Sequence, residues 1–227
     1  GRGRPPMRRY AALVIGMAAA ALFIRLGVWQ LSRRAERLAQ NAVLEARLAL
    51  PSLDLGAGAP WMSAEPDSLR FRRARARGRF DFSHELVEAG RSFQGAPGVH
   101  VLTPLLLSHG AGVLVDRGWA YSADGRTVDL AALREPDSAE VEGVLGLPVG
   151  RWGVRPDTLR PGYALVPAVL RRTVAPPNAP AALRAVPLPA LDAGPHLSYA
   201  LQWFSFAAIA LVGGTLLTRR DLRRRAA

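Results

Sequence analysis

The chain has 227 residues, 49% of them hydrophobic and 21% charged, with a formal net charge of +12. Those proportions exclude a disordered chain and a wholly membrane-embedded one, and the length allows one or two globular domains. Every one of the 30 basic residues is arginine, and the absence of cysteine excludes disulfides, thiolate metal sites and cysteine nucleophiles.

The charge gathers at the ends. Arg2, Arg4, Arg8 and Arg9 precede the first apolar run, and Arg219, Arg220, Arg223, Arg224 and Arg225 follow the last, with Asp221 among them. Nine arginines against one aspartate place +8 of the +12 there. A nucleic-acid groove needs its basic face on the folded domain itself. The expected partner of these flanks is therefore membrane lipid, and no nucleic acid.

The first apolar segment covers residues 10–31, interrupted by Arg25. At 1.5 Å per residue it spans about 33 Å, enough for a hydrocarbon core of about 30 Å. A secretory signal peptide shares its basic start and apolar stretch. No small-x-small cleavage site closes the run, so an uncleaved anchor is expected; Met7 is a candidate start, since the first residue is Gly. Residues 32–50 read as a polar continuation of the helix ending at Pro51, followed by a Gly/Ala/Pro-rich loop over 49–60.

Strand patterns then succeed one another. Residues 69–80 alternate small or apolar side chains with arginine, the period of a half-exposed strand. That arginine row is either a solvated strand face or an anion-binding surface. Further strands are expected at 84–89, 99–107, 112–121, 140–147 and 163–174, with Pro104 marking an edge or a bend. A hairpin through 107–111 joins two of them. Six short strands predict a compact antiparallel sheet or partial barrel. Six prolines between Ala175 and Pro195 predict a loop or extended tether. The second apolar segment, 197–218, holds no charge.

The predicted fold is thus an α+β membrane protein. A hairpin of two transmembrane helices (10–31 and 197–218) encloses an extracytoplasmic, mainly antiparallel β domain (32–195, with its tether at 175–195). Arginines outside both helices place both termini in the cytoplasm, although Arg33, Arg34 and Arg37 sit just past the first helix on the opposite side. The expected location is a bacterial inner membrane, or the mitochondrial inner membrane in a eukaryote.

Catalytic signals are sparse. His84, His100, His109 and His196 are dispersed without metal-ligand spacing, and Asp81 and His84 form one short-range pair. No GxSxG, P-loop or dinucleotide fingerprint is present, so no enzyme is expected. The membrane edges carry more. An interfacial aromatic belt accounts for Trp29, Tyr199 and Trp203, but not for Gln30 and Gln202, whose amides need partners inside the hydrocarbon. The two glutamines either meet each other or face a third protein or a ligand. His196, Tyr199, Ala200, Trp203 and Ala207 fall on one helical face. His196 is either a boundary polar residue or a ligand to haem iron. Arg25, about 9 Å below the outer end, either snorkels or pairs with a carboxylate such as a haem propionate.

Four segments carry a resemblance. Gly27-Val28-Trp29-Gln30-Leu31-Ser32-Arg33 resembles the LGxWQxxR element of the surfeit-locus-one family of haem-copper (cytochrome c) oxidase assembly factors. Gly98-Val99-His100-Val101-Leu102-Thr103-Pro104-Leu105 resembles its GxxVxTPL strand, and Val113-Leu114-Val115-Asp116-Arg117-Gly118-Trp119 its VLVNRGW strand, with Asp116 in the Asn position. His196 to Phe204 resembles its HxxYAxQWF signature. Arg37 stands where the family has a lysine, and 151–195 does not align residue by residue. The resemblance implies a non-enzymatic assembly factor that helps insert or stabilise haem a in the oxidase catalytic subunit, with that subunit and the haem a biosynthesis enzymes as partners. It also implies His196 as the haem-iron ligand. The expected cofactor site is His196, Tyr199, Gln202, Trp203, Trp29, Gln30, Arg25 and Arg33. A haem-free structural accessory subunit of the oxidase and an unrelated two-helix envelope receptor are the competing readings.

Overall fold

The computed structural model describes residues 10–57, 60–147, 162–185, 187–188 and 191–226. Arg2, Arg4, Arg8 and Arg9, positions 58–59 of the expected loop and 186, 189 and 190 of the expected tether lie outside the described residues, as does the side chain of Arg225. The chain is α+β, with an apolar helix toward each end and a strand-rich domain in the sequence between them. It divides into two units, Gly1–Val43 with Leu191–Ala227, and Leu44–Ala190.

The long helices are α1 (Ala11–Leu48) and α3 (His196–Ala226), and both are long and apolar enough to cross a membrane. At 1.5 Å per residue α1 is about 57 Å long, so its charged half continues beyond a bilayer core without a break. It ends just before Pro51, which disfavours helix in the residue preceding it. Pro195 stands immediately before α3, where its carbonyl accepts the Tyr199 N–H and a missing proline N–H costs nothing.

The second unit is built from β1 (Leu53–Asp54), a four-residue helix α2 (Pro66–Leu69), β2 (Arg73–Phe80), β3 (Leu86–Phe93), β4 (Ala96–Leu107), β5 (Gly112–Tyr121), β6 (Ser138–Gly146), β7 (Leu165–Arg172) and β8 (Leu183–Arg184). The sheet order is β1-β2-β6-β7-β5-β4-β3, with β8 on β5. An additional β2–β4 pairing closes β2, β6, β7, β5 and β4 into a five-stranded barrel. The pairings are antiparallel except β1–β2 and β5–β7. The barrel interior is apolar, with Ala74, Ala76, Phe80, Leu105, Val113, Val115, Val141, Leu145 and Leu170 all buried.

Pro104 lies inside the sheet at a handover, not at an edge. β4 pairs with β5 along its length, while its other side pairs with β3 up to Leu102 and with β2 from Leu105. The Pro104 carbonyl accepts the Asp81 N–H on that second side. The absent proline N–H points the same way, into the gap between partners, where the ladder loses nothing. The proline-rich segment contributes β8, whose Leu183 and Arg184 pair with Ala120 and Trp119.

In β2 the arginines at 73, 75, 77 and 79 are exposed while Ala74, Ala76 and Phe80 are buried, a strict period of two. Arg75 pairs with Asp54 at 2.9 Å and Arg79 with Asp137 at 3.5 Å, both on the solvent side.

Candidate functional site

In the unit formed by the two long helices, α1 and α3 pack antiparallel along a seam of small residues. Ala20, Ala200 and Ala207 are buried. A Cβ at Gly16 would lie 2.7 Å from the Ala210 carbonyl oxygen, and one at Gly214 would lie 2.9 Å from that of Ala12. Such close backbone approach is how helices associate where apolar lipid offers no hydrophobic drive. Aromatic rings follow along the pair. Phe23 stacks on Trp203 with centroids 5.7 Å apart and meets Phe206 at 5.8 Å. The Phe204 ring fills the space beside Gly27, where a Cβ would lie 2.5 Å from it.

Beyond the rings the pair ends on a polar contact. His196 Nδ1 lies 2.9 Å from Gln30 Oε1. An amide carbonyl oxygen only accepts, so Nδ1 donates, and in the neutral ring Nε2 carries the lone pair. An open cleft of about 380 Å³ begins here, lined by Arg33, Glu36, Arg37, Gln40, Asp192, Gly194, Pro195 and His196. Its turn is held by the Gly194 N–H to Asp192 Oδ1 (3.1 Å) and by Asn41 Nδ2 to the Asp192 carbonyl (2.7 Å). Gly194 has φ +66°, and a Cβ there would crowd Cδ2 of His196 at 3.3 Å and touch Nε2 at 3.5 Å. Glycine suits this backbone and adds no side chain against that imidazole edge.

The expected site residues therefore separate. His196, Gln30 and Trp203 come together at the seam, and Arg33 joins His196 on the cleft, bonded to Glu36 at 2.5 Å. Arg25 lies two residues from Gly27, about 200° round the helix, and is exposed. Trp29, Tyr199 and Gln202 are also exposed, turned away from the seam. Gln30 meets His196, and Gln202 has no hydrogen bond among the described residues. Arg37 lies on the cleft too, as do Gln40 and Asp192, although nothing local in the sequence marks the last two for it.

In the barrel the remaining histidines each have a protein partner. His100 Nδ1 binds Asp116 at 2.8 Å and His109 Nε2 lies 3.0 Å from the Leu55 carbonyl. His84 Nδ1 lies 2.8 Å from Asp81 Oδ2, which also accepts from Tyr163 at 2.9 Å. Burial alone would raise the Asp81 carboxyl, but hydrogen bonds from Ser83, His84 and Tyr163 outweigh it and hold the group below the usual carboxylate range. Burial, and then the bond to Asp81, push the Tyr163 phenol well above its ordinary value. No group of three or more potential metal ligands occurs among the described residues.

The two strand motifs build a core. A bulge in β5 sets Val101 opposite Gly118 and Leu102 opposite Asp116, leaving Arg117 extra. Gly118 takes φ +136°, with the Arg184 carbonyl where a Cβ would be. Arg117, fully buried, contacts Glu85 and Glu135, and Arg172 binds both oxygens of Glu135 at 2.9 Å. Thr103 donates to Glu85 at 2.6 Å. Two arginines and two glutamates thus form a neutral cluster in the domain interior.

Comparison with known proteins gives one consistent result. The SURF1 family profile matches residues 17–208. SURF1-like proteins of Mycobacterium bovis and Mycobacterium tuberculosis are 25% identical over 239 residues, covering 94% of this chain and 84% of theirs. Surfeit locus protein 1 of Mus musculus is 34% identical over 109 residues, 41% of this chain and 34% of its own length.

Proposed function

This chain belongs to the SURF1 family, and from that premise we propose that it assists haem a insertion into, or stabilisation in, the catalytic subunit of a haem-copper oxidase. The family in general serves oxidase assembly. The observation that carries the finer reading is the imidazole of His196, with Nδ1 on Gln30 and its other edge at the cleft. The donor set fits a haem. When bound, haem a supplies an iron that accepts an imidazole nitrogen and two propionates that accept cationic donors. His196 Nε2 would take the iron, and Arg33 and Arg37 on the same cleft would take the propionates. Phe23, Trp203 and Phe206 provide apolar surface along the same pair. Arg25, Trp29, Tyr199 and Gln202 face outward, where membrane lipid or the oxidase subunit would meet them.

In this reading the protein changes no bond. It holds a hydrophobic, poorly soluble group at the membrane edge between the enzymes that make it and the subunit that keeps it. The proposed membrane is a bacterial inner membrane with both termini cytoplasmic, or the mitochondrial inner membrane in a eukaryote. The test is genetic. Oxidase purified from a strain lacking this protein should hold less haem a, restored by the wild-type chain and not by His196→Ala. A normal haem a content in the deletion strain would overturn the reading.

A further inference from the structure

We infer that Gln30 is a positioning residue for His196: it fixes the imidazole in the Nδ1–H tautomer and so aims the Nε2 lone pair at the polar cleft. This rests on the haem reading above only for what the lone pair is used for; the tautomer itself follows from geometry. A neutral imidazole in water favours the Nε2–H form, which would present a proton and no lone pair to an incoming metal centre. A hydrogen bond at the other nitrogen decides which one is free. Here Gln30 Oε1, 2.9 Å from Nδ1, requires the donor at Nδ1.

Three further observations point the same way. Gly194 places no Cβ against the Cδ2–Nε2 edge, where one would crowd Cδ2 at 3.3 Å and touch Nε2 at 3.5 Å. Nε2 has no hydrogen bond among the described residues, whereas Nδ1 has one. Gln30 is itself placed on the inner side of α1, at helical spacing from Phe23 and Gly27, which contact Trp203 and Phe204. The amide is therefore held by a packed seam while it orients the ring. This is the role that an orienting acceptor plays behind a metal-ligating histidine.

The experiment uses the full chain in detergent, labelled with ¹⁵N-histidine, at about pH 8.5, two units above an ordinary imidazole. The His196 signals are identified by their loss in His196→Ala. The wild type should show an Nδ1–H imidazole without any haem present. Gln30→Leu should shift His196 toward the Nε2–H form, and Gln30→Glu, which keeps an acceptor, should retain Nδ1–H. With haem a titrated into the same samples, Gln30→Leu should bind about 10- to 100-fold more weakly, the usual effect of losing an orienting partner. An Nε2–H form in the wild type, or a Gln30→Leu spectrum identical to wild type, overturns the inference. If Gln30→Leu does not fold, the wild-type and Gln30→Glu spectra still decide it. Failure of the haem reading looks different: His196→Ala would bind haem a as the wild type does, while the tautomer still followed Gln30.

Discussion

Arg117 loses all contact with water, and a guanidinium does so only where charge partners replace its hydration. Glu135 faces both Arg117 and Arg172. Glu135→Gln should therefore lower stability by about 3–5 kcal/mol, the cost of leaving a buried charge uncompensated. A thermal midpoint equal to wild type would show that the cluster does not need the charge. Asp81 gives a pH signature. Its folded-state carboxyl titrates below the unfolded one, so its contribution is present above about pH 3.9 and fades as pH falls through the folded value. Acid unfolding of Asp81→Asn should accordingly depend less on pH below about pH 4 than that of the wild type; identical acid limbs would contradict this. Tyr163 works in the opposite sense, stabilising below about pH 10 and losing its contribution as pH rises further. At this scale the sequence marks His196 and Gln30 by type and by place, polar groups at apolar helix ends. Their bond spans 166 positions, and no local pattern encodes which amide meets the ring. Gln202 is similar in type and depth, yet its face turns outward. Glu85 and Glu135 carry no signal, because only the closed barrel brings them to Arg117.

Two adjacent glycines separate packing from propensity at the scale of an element. A Cβ at Gly214 would lie 2.9 Å from the Ala12 carbonyl oxygen, whereas one at Gly213 would meet nothing within 4 Å. Gly214→Ala should push α1 and α3 apart and lower the thermal midpoint in detergent. Gly213→Ala should be neutral, or stabilising by up to about 1 kcal/mol from helix propensity. Equal effects would deny the seam. The strands show what local pattern can reach. β5 was expected at 112–121 and is Gly112–Tyr121, because a buried apolar run between glycine turns has few alternatives. β3 reaches Phe93, past the expected end at 89, because Gly90 interrupts the pattern at a register shift. β8 carries no local signal because two residues in proline-rich surroundings show no period; pairing with β5 creates it.

The whole molecule combines a pair of apolar helices, a sheet domain between them in sequence, and arginine-rich ends. The six longer strands and the α+β class were legible, since turn residues and alternating patterns are local, while the two-residue β1 and β8 were not. Barrel closure through β2–β4 and the parallel β5–β7 pairing were not, since both join distant segments. The proposed orientation, with both termini cytoplasmic, rests on the flanking arginines. A reporter fused at Ser138 that is active only outside the cytoplasm should be active, and a cytoplasm-only reporter there should be silent; the reverse pattern would invert the topology. The central claim, that the ring of His196 takes the iron of haem a, has a direct optical test. The full chain and its His196→Ala variant are purified from cells that make haem a, and their spectra are compared at equal protein. The account predicts a Soret band in the wild type that is lost or strongly reduced and shifted in the variant. An equal band at the same wavelength in both would contradict it.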